Sequence, residues 1–204
     1  KVALLKIEEN ILWNDVKKYV KYLTPKRREK CERYIDERKK IISLFTELLI
    51  RKEAGNGREV IFRYNKYGKP YLDDPKGIYF SVSHSNNYIA YVQDNEEIGI
   101  DIEYMEDFNK SIVDMFFSEK ERKMIKECDN EDCYRIWTKK EAYLKMRGTG
   151  FNKNSFSEDI TGCREYKDIV SRVIENYMIS VCSSKKVENL EIIGYNISDI
   201  IPIN

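Results

Sequence analysis

Two carboxylates separated by one residue stand in Ile98-Gly99-Ile100-Asp101-Ile102-Glu103, a run that reads as a β-strand. Side chains alternate across a strand, so Asp101 and Glu103 share one face while Ile100 and Ile102 share the other. Like charges at neighbouring same-face positions repel and raise at least one pKa unless a cation lies between them. A hard divalent ion with oxygen ligands is the natural partner, and Mg²⁺ fits best. The alternative is a half-buried strand whose acidic outer face is simply solvated.

A second group lies in Trp137-Thr138-Lys139-Lys140-Glu141-Ala142-Tyr143-Leu144-Lys145, where Trp137, Glu141 and Lys145 fall at i, i+4 and i+8 along one helical face. Read blandly, Glu141 and Lys145 form a surface pair worth about 0.3–0.5 kcal/mol. The large aromatic on the same stripe argues for partial burial and a reason to hold the charges. Basic residues cluster in Lys26-Arg27-Arg28-Glu29-Lys30, at the start of a helix, where dipole and side chains together attract phosphate; a solvated basic face is the competing reading. Ser83-His84-Ser85 ends a strand at a turn. Neighbours on a strand face opposite ways, so Ser83 and His84 are poorly placed as nucleophile and base, and serine-hydrolase chemistry is disfavoured.

The elements that must position these groups are legible in outline. Leu12, Val16, Tyr19, Val20 and Leu23 are spaced as a helix over residues 11–23, and Thr24-Pro25 supplies an N-cap and a first-turn Pro for a second. A third runs from about Glu37 through Ile41, Leu44, Phe45, Leu48 and Leu49 to a stop at Gly55-Asn56-Gly57. Short β-type runs follow at 60–64, 78–83, 88–93 and 98–103, expected to form an antiparallel sheet. Ser118 to Glu121 reads as a capping box, and a helix spans about 131–147 before Gly148 and Gly150. Strands resume at about 169–174, 177–181 and 190–197, and the last 50 residues are expected to complete a second sheet. Helices followed by strands occur twice, which predicts an α+β protein of two halves, 1–96 and 97–204, each a small antiparallel sheet packed by helices.

Composition bounds the function. Lys and Arg number 36 against 35 Asp and Glu, a net charge of +1, so nothing pulls the 204-residue chain as a whole toward nucleic acid or an anionic membrane. One histidine excludes sites that need several imidazoles. The five cysteines (Cys31, Cys128, Cys133, Cys163, Cys182) are an odd count without a C-x-x-C knuckle, read as reduced thiols in a cytoplasmic protein. The opening KVALLKIEEN is too charged for a signal peptide, and no apolar run approaches the roughly 20 residues of a membrane span. The expectation is a chain neither secreted by that route nor integral to a membrane; its first residue is not Met, as in a trimmed start.

Taken together, residues 24–150 resemble the Sfp-type 4'-phosphopantetheinyl transferases. The carriers of the resemblance are Tyr67-Gly68-Lys69-Pro70, Phe80-Ser81-Val82-Ser83-His84-Ser85, the Asp101/Glu103 strand, Phe116-Phe117-Ser118 with Glu121, and Trp137 through Lys145. Each is weak alone; their order makes them specific jointly. The resemblance implies a pseudo-twofold monomer with its active site between the halves and a Mg²⁺ site from Asp101, Glu103 and Glu141. It implies a coenzyme A site touched by Arg27, Lys30, Lys69, Ser83, His84 and Lys145. The implied reaction moves phosphopantetheine from coenzyme A to a serine of an apo acyl, peptidyl or aryl carrier protein and releases 3',5'-ADP. Glu141 is the implied base, directly or through a water, and Lys145 stabilises developing charge. The family usually has an Arg just before the position of Ser43; here Lys39 and Lys40 stand nearby, offering point charges in place of a planar fork. Competing classes are a non-catalytic coenzyme A or nucleotide-binding module and a Mg²⁺-dependent phosphoesterase on the same scaffold.

Overall fold

Four layers, helix on sheet on sheet on helix, place the two acidic and basic groups against one another. The computed structural model describes residues 1–55, 60–74, 76–149 and 158–201; the expected stop at Asn56-Gly57 and Gly150 lie outside them. The first sheet is ordered β4-β5-β1-β9, from strands Tyr79–Ser85 (β4), Tyr88–Asp94 (β5), Val2–Lys6 (β1) and Ile192–Tyr195 (β9). The second is ordered β6-β8-β7, from Ile98–Tyr104 (β6), Tyr177–Ser183 (β8) and Val170–Ile174 (β7), and Ile61–Tyr64 (β2) with Pro70–Asp74 (β3) forms a separate ribbon.

The alternation of strand side chains explains the layering. In β1, Ala3 and Leu5 join one buried cluster, with Leu44, Phe45, Leu48 and Leu49 of helix Glu37–Gly55 (α3), while Val2 and Leu4 join another. That second cluster also holds Ala90 and Val92 of β5, Ile98, Ile100 and Ile102 of β6, and Ile179 and Val181 of β8, so the two sheets pack face to face through it. Each such side chain taken fully from water contributes roughly 1.5–3 kcal/mol. The remaining face of β6, with Gly99, Asp101 and Glu103, is left for helix Asn130–Arg147 (α6). At Gly99 a Cβ would stand 2.0 Å from the Ala142 carbonyl oxygen and 2.5 Å from the Met146 nitrogen, so glycine is what lets α6 lie directly on the strand.

Several expectations change. The runs at 60–64, 78–83, 88–93 and 98–103 are all strands, but they are divided among the ribbon and the two sheets and do not form one sheet. Of the last 50 residues, β7 and β8 complete the second sheet but β9 does not: it pairs parallel to β1, with Leu4 opposite Gly194, and the short helix Ile197–Ile200 adds Ile200 to the first core. Residues 11–23 form a short helix, Trp13–Val16 (α1), followed by a 3-10 stretch over Lys17–Tyr22. The helices expected after Pro25, Glu37 and Ser118 and up to Arg147 are present, while the short helices Val113–Phe116 and Arg164–Lys167 were not read from the sequence. Pro25–Arg33 (α2) is capped by Thr24, Val113–Phe116 is α4, and Glu119–Glu127 (α5) carries the Ser118/Glu121 capping box. Gly148 ends α6 in the left-handed conformation, φ +62°.

Candidate active site

β4 and β6 are edge strands of different sheets, and the site lies along the seam between them and α6. Asp101, 2% exposed, accepts hydrogen bonds through Oδ1 from Lys145 Nζ at 2.6 Å and from Ser83 Oγ at 2.7 Å. Lys145 also donates to Ser83 Oγ at 2.8 Å, closing a three-membered cluster drawn from β6, α6 and β4. The bland alternative, a Glu141–Lys145 surface pair, does not hold: the ammonium bonds to Asp101, because docking α6 on Gly99 turns the Glu141/Lys145 stripe toward the acidic face of β6. Asp101 is correspondingly a buried group and not part of a solvated face.

Glu103 accepts a hydrogen bond from Ser85 Oγ at 2.9 Å. Burial first and Asp101 second push its pKa up to about 7, against the opposing influence of Ser85, Trp137 and Lys145. Glu141 is pushed up to about 8, by burial, then Asp101 and more weakly Glu103, with Lys145 opposing. Three carboxylates therefore share one neighbourhood with one ammonium among them, and Asp101 Oδ2 is buried without a hydrogen-bond partner. Among the described residues, no three His, Cys, Asp or Glu side chains converge closely enough to form a ready-made metal cage. The donor chemistry nevertheless fits a hard divalent cation: all oxygen, net negative, with one buried oxygen unsatisfied.

Two clefts flank this cluster. The smaller, about 300 Å³, is lined by Tyr67, Lys69, Phe80, Ser81, Leu144 and Lys145, among others. Lys69 Nζ donates to the Met146 carbonyl at 2.9 Å near the end of α6, and burial lowers its pKa. Asn65 Nδ2 donates to the Gly148 carbonyl at 2.8 Å, so the β2–β3 loop is fastened to the same helix end. The larger cleft, about 580 Å³, is lined by Arg27, Lys30, Tyr34, Lys39, Ser43 and His84, among others. His84 is solvent-accessible on its wall, yet its protonated form is disfavoured first by lost hydration and then by the Lys145 and Lys30 charges. Lys40 instead sits over the Trp13 ring at 5.7 Å, so of the two lysines near Ser43 only Lys39 lines the cleft.

The structure thus brings Ser83, Asp101 and Lys145 into contact, places Glu103 and Glu141 beside them, sets Lys69 in the small cleft, and gathers Arg27, Lys30 and His84 in the large one. Sequence reasoning missed Glu47. This α3 carboxylate, 1% exposed, accepts from the Thr24 N–H at 2.6 Å and pairs with Arg27 Nε at 3.4 Å and Arg51 Nε at 3.2 Å. It holds the start of α2, and with it Arg27, against the core. An acid inside the otherwise buried run Ile41–Ile50 was the available signal. Arg38 was also missed: its guanidinium donates to the Ile7 and Glu8 carbonyls and to Asn87 Oδ1, tying β1 to the β4–β5 turn.

Fold and site together define an α+β protein with an oxygen-rich, cation-seeking cluster between clefts that carry fixed positive charge, an arrangement suited to a polyanionic ligand. Residues 97–189 match the 4'-phosphopantetheinyl transferase superfamily. The chain is similar to 4'-phosphopantetheinyl transferase gsp of Aneurinibacillus migulanus, 30% identical over 190 residues, 82% of this chain and 79% of that protein. It is also similar to 4'-phosphopantetheinyl transferases ffp of Bacillus subtilis, 29% identical over 140 residues (64% of this chain, 62% of the relative), and Sfp of Bacillus subtilis strain 168, 27% over 144 residues (66% and 64%). The chain spans less than two thirds of the length of these two Bacillus subtilis relatives. It belongs to the 4'-phosphopantetheinyl transferase family.

Proposed function

We propose that this protein transfers the 4'-phosphopantetheine group of coenzyme A to a serine of an apo carrier protein of acyl, peptidyl or aryl type, releasing 3',5'-ADP. The observation that carries this reading is the Ser83–Asp101–Lys145 contact, flanked by Glu103 and Glu141 and open to clefts lined by Arg27, Lys30, Lys39 and Lys69. Coenzyme A carries a pyrophosphate and a 3'-phosphate monoester, so it needs several converging donors. Arg27, Lys30 and His84 would meet the phosphates at the larger cleft, and Lys69 and Lys145 the pyrophosphate and the pantetheine end.

Asp101, Glu103 and Glu141 would hold Mg²⁺. When bound, the metal supplies neutralisation of charge on the pyrophosphate oxygens. The carrier serine oxygen forms a bond to the phosphorus next to pantetheine, the bond from that phosphorus to the bridging oxygen breaks, and 3',5'-ADP leaves. Lys145, fixed by Asp101 and Ser83, is placed to stabilise charge growing on the bridging oxygen. Glu141 would receive the serine proton in its ionised form, directly or through a water.

A monomer of pseudo-twofold halves, 1–96 and 97–204, with β9 and the helix after it returning to the first sheet, acting in the cytoplasm, is part of this reading. Two hairpin tips support the symmetry: Asn86 and Glu175 both have positive φ, +45° and +51°, and each stands two residues before a tyrosine, Tyr88 and Tyr177, whose rings meet at 4.8 Å. Among the described residues no helix is long and apolar enough to cross a membrane.

The test is product analysis of coenzyme A incubated with the protein, Mg²⁺ and a panel of apo carriers. Formation of 3',5'-ADP only when a carrier is present, and none with EDTA, is expected. Carrier-independent hydrolysis would favour a phosphoesterase, and binding without turnover on any carrier a non-catalytic module.

A further inference from the structure

The β4–β6 seam is joined by side chains in place of a backbone ladder. Ser81, Ser83 and Ser85 alternate along β4 and so present their hydroxyls on one face, toward β6. Ser81 Oγ accepts the Ile100 N–H at 3.1 Å, and Ser85 Oγ accepts the Tyr104 N–H at 3.0 Å. The two bonds lie four residues apart on both strands, so β4 and β6 run side by side in the same direction while belonging to different sheets. Main-chain donors of an edge strand that would otherwise be stranded in the seam are satisfied by hydroxyls.

Ser85 differs from Ser81 in what its own proton does. A serine hydroxyl has one donor and two acceptor positions. With the Tyr104 N–H on an acceptor position, the single proton goes to Glu103 Oε2 at 2.9 Å. The backbone of β6 fixes the hydroxyl, and the hydroxyl fixes Oε2 of Glu103, a carboxylate that the Trp137 side chain also hydrogen-bonds. Ser83 makes the corresponding donation to Asp101, so consecutive same-face serines of β4 hold consecutive same-face carboxylates of β6.

We propose that Ser85 is a positioning residue for the divalent-cation site: it acts through Glu103 by locking the rotamer that presents this carboxylate to the cation. The inference rests on the reading of Asp101, Glu103 and Glu141 as the metal ligands. Groups that orient a ligating carboxylate from behind are worth about 10–100-fold in metal affinity.

The test is Mn²⁺ binding to the whole protein, read by electron paramagnetic resonance and calorimetry, with Mg²⁺ competition. Ser85→Ala should weaken Mn²⁺ binding by about 10-fold or more, Ser85→Thr should restore most of the loss, and Ser85→Ala should add nothing in a Glu103→Gln background. Thermal unfolding of each variant separates this from a general loss of folding: Ser81→Ala removes the same type of seam bond and should lower the melting temperature without the Glu103-dependent change in Mn²⁺ affinity. Wild-type Mn²⁺ affinity in Ser85→Ala, or an equal loss in the Glu103→Gln background, would overturn the role of Ser85 and leave the metal site standing. No Mn²⁺ binding by the wild type would overturn the metal-site reading itself, and this role with it.

Discussion

Lys145 of α6 places its ammonium 2.6 Å from Asp101 Oδ1 of β6, joining helix and strand at the seam between β6 and β4. The pair is unequal: Asp101 is 2% exposed on its side chain and Lys145 21%. Removing the lysine would leave a carboxylate in the seam held by Ser83 alone, whereas removing the aspartate would leave a lysine that can turn to water. Lys145→Ala should therefore destabilise the fold, by about 3 kcal/mol if the carboxylate stays charged. Lys145→Gln should lose less stability but comparably much turnover. Denaturant melts alongside rates would show this; equal stability of Lys145→Ala and wild type would mean that Asp101 does not depend on the pair.

Gly99→Ala tests how α6 is seated. The added methyl would meet main-chain atoms of Ala142 and Met146, which have no side-chain freedom to yield, so the helix must shift. A cost of about 1–3 kcal/mol or more is expected, together with a large fall in turnover, because Glu141 and Lys145 ride on the displaced helix. Unchanged stability and activity would show that α6 is not held where described.

Lys140 and Glu121 form a second ion pair, at 2.6 Å, with side chains only 2% and 1% exposed, joining α5 to α6. Lys140→Ala should cost about 3–5 kcal/mol by leaving Glu121 as a buried charge. The double change Lys140→Met with Glu121→Leu should recover part of that loss, and not all of it, because Glu121 also accepts the Ser118 N–H of the capping box at 2.8 Å and Lys140 also donates to the Glu158 carbonyl at 3.1 Å. Chemical denaturation of the three proteins decides it, and a double variant no better than the single would contradict the desolvation argument.

His84 gives a pH prediction with a definite sign. Its pKa lies below the ordinary histidine value in the free protein, through hydration lost on the cleft wall and the Lys145 and Lys30 charges. A bound phosphate reverses that field, so binding should take up a proton, and the His84 contribution should fade as pH rises through the pKa of the complex. His84→Ala should cost about 1.5–3 kcal/mol of coenzyme A binding and much less with dephospho-coenzyme A, which lacks the 3'-phosphate. Calorimetry in buffers of different ionisation heat measures both. Equal losses with the two ligands would make His84 a wall residue and no more.

The parts of this arrangement that depend on local periodicity were legible in the sequence. Two-residue alternation set Asp101 and Glu103 on one face, four-residue spacing set Trp137, Glu141 and Lys145 on one stripe, and Thr24-Pro25 marked the start of α2. What was not legible depends on contacts distant in the chain. That Lys145 bonds to Asp101 follows from α6 docking at Gly99, and nothing in the local spacing distinguishes this from a Glu141 pair. Glu47 announces burial by its position in an apolar helix, but not that Arg27, Arg51 and Thr24 are its partners. The opening Val2–Lys6 is too short and uniformly apolar to declare itself an interior strand, and its parallel pairing with β9 closes almost the whole chain length with no turn between to signal it. The turn at Gly68, φ +87°, was evident; the strand that follows from Pro70 was not, since proline speaks against a strand except at an edge or first position.

The most direct test is intact-protein mass spectrometry of an apo carrier after incubation with coenzyme A, Mg²⁺ and either the wild-type protein or Asp101→Asn. The expected result is one phosphopantetheine adduct on the carrier serine with the wild type, lost with EDTA and slowed on the order of 10²-fold or more in the variant. An unmodified carrier with the wild type across acyl, peptidyl and aryl carriers, or an Asp101→Asn protein as fast as the wild type, would contradict it.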